Sequence, residues 1–301
     1  MSLTLLKKVC TNCKPSSIKT YWANIQALAR VAGRDAMPAG GTWLNDALLK
    51  LVQAMPLNRY KRLTTAGVKA AQMYNVKKPK WSKAMGDAAE KYAQIRESGK
   101  WTKREDENWP KDGYKALRTL AQTLHSEQEH LERKKAWNSR DLYHYQKYLI
   151  VLFYSMFALR GDLADVRHKK PFGPNWLQAQ KNKYKLHIGE HKTSRARGAI
   201  ELDVDGDLAG ALDTFLPQLR RLTTHGYLLS TLRTGNRMQR QDMLKLIRKT
   251  TRERLGKNIG VQLIRVLKVS ASKKEIDKAA ALQQELGHSG AMQRRYISRE
   301  N

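Results

Sequence analysis

The chain has 301 residues, with 57 Lys and Arg against 27 Asp and Glu, so its formal net charge is +30 at pH 7. Self-repulsion on that scale opposes a compact fold and favours a polyanionic partner. Nucleic acid fits best, because each neutralised phosphate releases condensed counterions. A content of 41% apolar residues excludes a disordered basic tail. A very basic protein with no nucleic-acid role is the alternative that composition leaves open.

Nothing in the sequence predicts a membrane or secreted protein. No apolar run approaches the roughly 18 residues of a membrane span, and Leu3–Leu6 is too short for a signal peptide. The two cysteines, Cys10 and Cys13, give no disulfide framework, so we expect an intracellular protein. No second pair or nearby His accompanies them, which favours free thiols over a zinc site.

Residues 1–100 are predicted to form a four-helix domain. One helix starts at Ser17, a second at Leu44, and two more cover Arg59–Tyr74 and Trp81–Ser98. These 100 residues carry 18 basic and 5 acidic side chains. A strongly basic helical domain of this kind is typical of a DNA clamp.

A lysine cluster lies between the last two of these helices, at Lys77, Lys78, Lys80 and Lys83. It fits a DNA contact in a loop of the clamp or a nuclear localisation signal, and we favour the DNA contact. Residues 99–113 then break the helical periodicity and contain both Pro and Gly. We therefore place a linker at 101–112, between domains at 1–100 and 113–301.

The second domain is predicted to be mainly α with a small β-hairpin or sheet. Two helices cover Tyr114–Trp137 and Arg140–Leu159, and alternating apolar residues at Lys185–Glu190 and Ala199–Val204 indicate a hairpin. From Asp207 the pattern is helical to the end of the chain.

Four strings in this domain carry groups suited to cutting DNA. Cleavage through a side chain needs a nucleophile for phosphorus, cations for the non-bridging oxygens and an acid for the leaving oxygen. The sequence contains no carboxylate cluster of a two-metal nuclease and no Gly-rich phosphate loop. It contains, in order, ALRGDLADVR (158–167), HKTSRARG (191–198), QLIR (262–265) and ELGHSGAMQRRYIS (285–298).

Together these strings resemble the tyrosine recombinases. That family has an Arg at a hydrophobic-helix turn, a Lys on a β-hairpin, a His-x-x-Arg, a Leu-Gly-His-Ser turn and a Tyr near the C-terminus. The resemblance covers about residues 140–301. It extends more weakly to PSSIKTYWANIQAL (15–28), which looks like the first helix of the family's core-binding domain. It implies a helical SAM-like core-binding domain followed by a tyrosine recombinase (DNA breaking-rejoining) catalytic domain.

The resemblance assigns a role to each matching residue. Tyr296 is the expected nucleophile, and Arg160, Arg265 and His288 are expected to stabilise charge on the scissile phosphate. Lys192 is the expected general acid. Each has a structural alternative: a helix-capping Arg160 or His288, an Arg265 on a mostly buried helix, a solvated hairpin Lys192 and a Tyr296 that only fills a core.

Three further predictions concern neighbouring positions. Lys185 and Arg195 are the rivals of Lys192 as general acid, and Arg195 and Arg197 are expected to contact DNA. Where the family has the His of His-x-x-Arg, this chain has Gln262. An amide can hydrogen-bond a phosphate oxygen but cannot move a proton, so acid–base work would fall on Lys192 and His288.

By the same resemblance the partner is double-stranded DNA, bound by a homotetramer on two DNA sites. No metal, ATP or other small-molecule cofactor is expected. The protein would act where DNA is, in the nucleus of a eukaryotic host or otherwise in the cytoplasm or nucleoid. The alternatives are a type IB topoisomerase, which shares the chemistry, and a DNA-binding protein with a dead active site.

Overall fold

The computed structural model describes residues 3–13, 15–98, 102–181, 183–273, 275 and 278. As predicted, the described chain is mainly helical with one small antiparallel sheet. It divides into two compact units, Met1–Trp101 and Thr102–Asn301, and each has its own hydrophobic core. No helix in these ranges combines the length and apolarity needed to cross a membrane.

The described part of the first unit contains five helices where the sequence predicted four. The unpredicted helix is the first, which is only seven residues long and buries Leu6. The side chain of Asn45 begins the third helix by accepting a hydrogen bond from Leu48 N at 2.9 Å. The five helices are α1 (Leu3–Val9), α2 (Pro15–Val31), α3 (Asp46–Gln53), α4 (Leu57–Met73) and α5 (Pro79–Glu97).

Helix α4 is the centre of the first unit, because α1, α2, α3 and α5 all pack against it. Its Gly67 faces the fully buried indole of Trp81 on α5. A Cβ atom at Gly67 would lie 2.1 Å from Trp81 Cε3, so the missing side chain sets how closely the two helices approach.

The second unit surrounds a central helix, α8, which is buried over most of its length. Helices α7 and α10 pack against it, and a 3-10 helix, Gly161–Asp165, follows it. The helices are α6 (Lys103–Asn108), α7 (Lys115–Glu132), α8 (Ser139–Met156), α9 (Ser194–Arg197), α10 (Gly206–Leu222), α11 (Arg240–Leu255) and α12 (Val261–Ala271), and the strands are β1 (Asn175–Ala179), β2 (Tyr184–Ile188) and β3 (Ile200–Val204).

Residues 102–112, expected to belong to a linker, lie within the second unit. They contain α6, which starts with a reciprocal capping box between Thr102 and Glu105. The side chain of Asn108 accepts a hydrogen bond from Asn258 N at 2.7 Å, which ties α6 to the segment before α12.

The sheet has the order β1-β2-β3, with both pairs antiparallel. Strands β2 and β3 correspond to the predicted hairpin, and β1 was not predicted. Leu186 lies opposite Leu177 on one side and Leu202 on the other. Alternate residues of β2 are buried, as expected of a strand with one face on a core.

Two predicted helices were too long and a third helical region was wrong. Helix α7 ends at Glu132 instead of Trp137, and α8 ends at Met156 instead of Leu159. Residues 223–239, expected to be helical, contain no helix. They form isolated bridges to neighbouring backbone, because Gly226 and Gly235 interrupt the helical pattern and favour turns.

A buried amide holds this non-helical segment against α8. Gln146 donates from Nε2 to the carbonyl of Ser230 at 3.0 Å and accepts from the Ser230 N–H at 2.7 Å. Both polar groups of one backbone residue are therefore satisfied by one side chain.

Candidate functional site

Arg160 lies in the short connection between α8 and the 3-10 helix, so it does not end α8 as the sequence had suggested. The hydroxyl of Tyr154, on the last turn of α8, donates to the Arg160 carbonyl at 2.7 Å and fixes the backbone there. The half-buried guanidinium donates from Nη1 to Thr193 Oγ1 at 3.3 Å. Arg160 is therefore linked to the loop between β2 and β3.

Arg265 joins this site from α12. The apolar face of that helix, which includes Leu263, Ile264 and Leu267, is buried in the core and leaves Arg265 half-buried. Burial lowers the pKa of the Arg265 guanidinium, and repulsion from Arg160 lowers it further. The structure therefore brings together two arginines that are far apart in the sequence.

Asp162, whose charge interacts with both arginines, and Asp165 are held by other cations. Asp162 is only 3% exposed, and Arg240 Nη2 lies 2.8 Å from its Oδ1. The same nitrogen lies 2.9 Å from Asp165 Oδ2, and Arg237 also pairs with Asp165. Burial raises the pKa of Asp162, and the charge of Arg240 opposes that shift.

Gly161 makes room for this pairing. A Cβ atom on Gly161 would lie 2.9 Å from Arg240 Cγ, so a side chain there would push Arg240 away from the two carboxylates. The Gly-Asp pair after Arg160 thus has a local structural purpose that the sequence pattern alone does not reveal.

Neither Arg160 nor Arg265 forms an ion pair within the part of the chain that the structure describes. Partly buried charges without a direct ion pair are costly, and two of them together repel each other, although the charge of Asp162 offsets part of this cost. An anion between or beside the guanidinium groups would remove both costs. The pair is therefore a candidate anion site, and the planar guanidinium suits phosphate oxygens.

Lys192 lies four residues beyond the end of β2, in the β2–β3 loop, rather than at the strand end where it was expected. It is exposed, and it makes no hydrogen bond or ion pair with the described residues. Its neighbours in sequence are better held, since His191 is buried and Thr193 contacts Arg160. Lys192 therefore lies one residue before Thr193, the residue that contacts Arg160.

The two rivals of Lys192 differ in their surroundings. Lys185 lies within β2 and forms an ion pair with Glu201 at 2.6 Å. The hydrogen bond that Lys185 donates to that carboxylate raises the pKa of Lys185, which makes proton release harder. Arg195 lies on the short helix α9 and is exposed, as is Arg197.

Gln262 lies in the first turn of α12, three residues before Arg265, so both are on one side of the helix. It is exposed. The N-cap residue, Gly260, provides no side-chain hydrogen bond to this helix end. The first backbone N–H groups of α12 therefore have no side-chain cap from Gly260.

The remaining predicted residues lie elsewhere. His288 and Tyr296 fall outside the described residues. In the first unit Lys77, Lys80 and Lys83 are exposed and Lys78 is half-buried, and Lys80 pairs with Asp46.

Sequence reasoning did not single out Asp162, His191, Thr193 or Arg240. The first three are in the two strings that suggested Arg160 and Lys192. Their positions close to these two residues in the sequence could have marked them as candidates. Arg240 lies in a basic stretch where no pattern distinguishes it.

The two cysteines are free thiols, with Cys10 buried and Cys13 half-buried. Burial raises the pKa of the Cys10 thiol, and a hydrogen bond with Cys13 adds to that shift. Within the described ranges no group of three or more His, Cys, Asp or Glu side chains could hold a metal ion.

No protein-family model matches this chain, and no curated protein matches it.

Proposed function

We propose that the chain is a DNA strand transferase that cuts and rejoins duplex DNA through a tyrosine. Within that class we propose a site-specific recombinase or integrase of the tyrosine recombinase type. The observation that supports this most is the pair of half-buried guanidinium groups, Arg160 and Arg265, with no ion-pair partner in the described chain and with the Lys192 loop bonded to one of them. The four sequence strings named above provide the remaining support.

In the proposed reaction the phenolic oxygen of Tyr296 attacks the scissile phosphorus, and the bond from phosphorus to the 5′-oxygen breaks. The products are a 3′-phosphotyrosyl link, formed as the phenolic proton passes to His288, and a 5′-hydroxyl, whose proton comes from Lys192. Arg160, Arg265 and His288 stabilise the extra negative charge on the phosphoryl oxygens. Gln262 contributes a neutral hydrogen bond. Attack by a 5′-hydroxyl on the tyrosyl link reverses the sequence and rejoins the strand without ATP.

The first unit is proposed to be the core-binding domain. Its charge, 18 basic against 5 acidic residues in 1–100, favours contact with the phosphate backbone. The proposed contacts are Lys77, Lys78, Lys80 and Lys83, with Arg195 and Arg197 from the second unit. The active form is proposed to be a homotetramer on two DNA sites, located wherever that DNA is.

The direct test is covalent trapping. The purified full chain is incubated with nicked suicide duplexes taken from the DNA that flanks its own gene, and adducts are separated on a denaturing gel. We expect an adduct that survives excess EDTA. Tyr296→Phe should abolish it while DNA affinity stays within about twofold, because one hydroxyl adds little to a phosphate-dominated interface. Tyr143→Phe is the matched control and should trap normally.

Two outcomes would overturn the proposed mechanism. An adduct that persists in Tyr296→Phe would place the nucleophile elsewhere, and cleavage that depends on added Mg²⁺ would indicate a nuclease. DNA relaxation and adduct formation also distinguish the proposed recombinase from the two alternative functions. A topoisomerase would relax supercoiled DNA without strand transfer between two duplexes, and a dead DNA-binding protein, which Gln262 allows, would form no adduct.

A further inference from the structure

We infer that His191 and Thr193 are positioning residues, which orient the Arg160 guanidinium through a directional chain of hydrogen bonds. The kinetic consequence of this inference rests on the proposed function, but the hydrogen-bond chain itself does not.

The direction of the hydrogen-bond chain is set by the bond farthest from Arg160. His191 Nε2 lies 2.9 Å from the carbonyl oxygen of Gly198. A carbonyl oxygen can only accept, so Nε2 must carry a proton. In a neutral imidazole ring the other nitrogen, Nδ1, is then an acceptor.

Thr193 continues the chain from His191 to Arg160. Its Oγ1 lies 3.3 Å from His191 Nδ1, and its backbone nitrogen lies 3.4 Å from the same atom. Because Nδ1 can only accept, the Thr193 hydroxyl donates its one proton there. Its oxygen lone pairs are then left for Arg160, whose Nη1 lies 3.3 Å away and can only donate.

The surrounding loop supports this arrangement. His191 is 6% exposed, so its ring nitrogens need partners from the protein. Gly198 has φ +72, which favours glycine. The Ser194 hydroxyl donates to the carbonyl of His191, three residues earlier in the loop, at 3.0 Å. Lys192 thus lies between His191 and Thr193, and hydrogen bonds fix both of these neighbours.

Orientation matters at Arg160 because no carboxylate in the described chain holds it. A bond to Thr193 uses one of its five N–H donors and leaves the others for an incoming phosphate. Without that bond the guanidinium would sample several rotamers, and ordering them would oppose binding of the transition state.

The hydrogen-bond chain can be tested without DNA. In full chain labelled with ¹⁵N-histidine, long-range ¹H–¹⁵N spectra distinguish the two neutral tautomers, and the His191→Gln spectrum identifies the His191 signals. We expect the tautomer with the proton on Nε2. Thr193→Val should shift the Nδ1 resonance, and in ¹⁵N-arginine-labelled protein it should shift the Arg160 side-chain signals, identified with Arg160→Lys. A proton on Nδ1, or Arg160 signals that do not respond, would overturn the inference.

The kinetic test uses single-turnover cleavage of the suicide duplex. Thr193→Val should slow cleavage about tenfold, the effect of one neutral hydrogen bond. Thr193→Ser, which keeps the hydroxyl, should restore most of the rate. Thr223→Val is the matched control, since that hydroxyl only donates to the Leu219 carbonyl at a helix end.

A double mutant separates positioning from general damage. If Thr193 acts through Arg160, Thr193→Val should cause no further loss in an Arg160→Ala background. Independent, multiplicative losses would contradict the inference, and so would equal rates for the Ser and Val variants. If the wild-type chain does not cleave at all, the proposed function fails, and the spectra alone decide the hydrogen-bond chain.

Discussion

The guanidinium of Arg240 lies 2.8 Å from the buried carboxylate of Asp162. This pairing occupies a buried acid whose pKa the charge of Arg160 also lowers. We therefore expect Arg240→Gln to lower the free energy of unfolding of the second unit by about 1–3 kcal/mol, because a buried acceptor loses its charged partner. Denaturant unfolding measures this, and Arg252→Gln, an exposed change on the same helix, should cost far less.

The arginine pair gives the second prediction. Arg160→Ala and Arg265→Ala should each reduce the rate of strand cleavage roughly 10²-fold, the scale for losing one preorganised contact to developing charge. The exposed Arg233 provides the control, and Arg233→Ala should leave the single-turnover rate nearly unchanged. A normal rate in either site variant would return that arginine to a purely structural role.

The general acid gives the third prediction. Lys192→Ala should be severe, and a substrate with a 5′-bridging sulfur should restore most of the rate, because a thiolate leaves without protonation. Gln262→Ala should lose only about 1 kcal/mol of transition-state stabilisation, and Gln262→His should be tolerated. Rescue by sulfur of the Gln262→Ala enzyme but not of the Lys192→Ala enzyme would show that the acid is assigned to the wrong residue.

The fourth prediction concerns His168, which is buried with both ring nitrogens unpartnered in the described chain. Burial, and then repulsion from Arg220, lowers its pKa from 6.5 to about 4. As pH falls the unfolded chain therefore takes up this proton first, so stability present above pH 6.5 is lost as pH approaches 4. The loss amounts to about 3 kcal/mol.

Denaturant unfolding between pH 7 and pH 4 measures the effect of His168. His168→Leu should remove this component of the pH dependence, although carboxylates in the same range still titrate. His130→Gln, an exposed change, should keep it because the buried ring stays in place. If the free energy of unfolding varies with pH in the same way in wild type and in His168→Leu, the effect is excluded.

Two glycines in the first unit give the fifth prediction. Gly67→Ala should destabilise it by about 1–3 kcal/mol, because the new methyl group overlaps the Trp81 indole. Gly86→Ala, on α5, has no atom within 4 Å of the new methyl group and should gain up to about 1 kcal/mol in helix propensity. The midpoint temperature of thermal unfolding should therefore fall in Gly67→Ala and rise in Gly86→Ala, relative to the wild type.

The helical and strand periods of the sequence predicted most of the regular structure. They failed where local periodicity is weak. Strand β1 has two adjacent apolar residues, Trp176 and Leu177, so it lacks the alternation by which β2 and β3 were recognised. Residues 223–239 contain enough apolar positions to resemble a helix, but Gly226 and Gly235 favour turns, and Gln146 holds Ser230 from 84 residues away.

The candidate site could be predicted only in part. Arg160 and Arg265 are recognisable by motif, and the structure brings them together. The pairing of Asp162 with Arg240 depends on a contact across 78 residues, which no single-sequence pattern encodes. The link from Arg160 to Thr193 depends on how the β2–β3 loop folds, and the alternation that predicted the two strands does not determine the geometry of the loop.

The bidentate amide of Gln146 has a consequence for engineering. It fixes the register of Ser230, and the Thr231 N–H donates to the Asn236 carbonyl at 2.8 Å to close a short exposed turn. Extra residues placed at that tip, around Arg233, would leave the anchored backbone untouched, whereas an insertion before Ser230 would pull it away from α8. The tip is therefore the natural place for an affinity tag or a fluorophore.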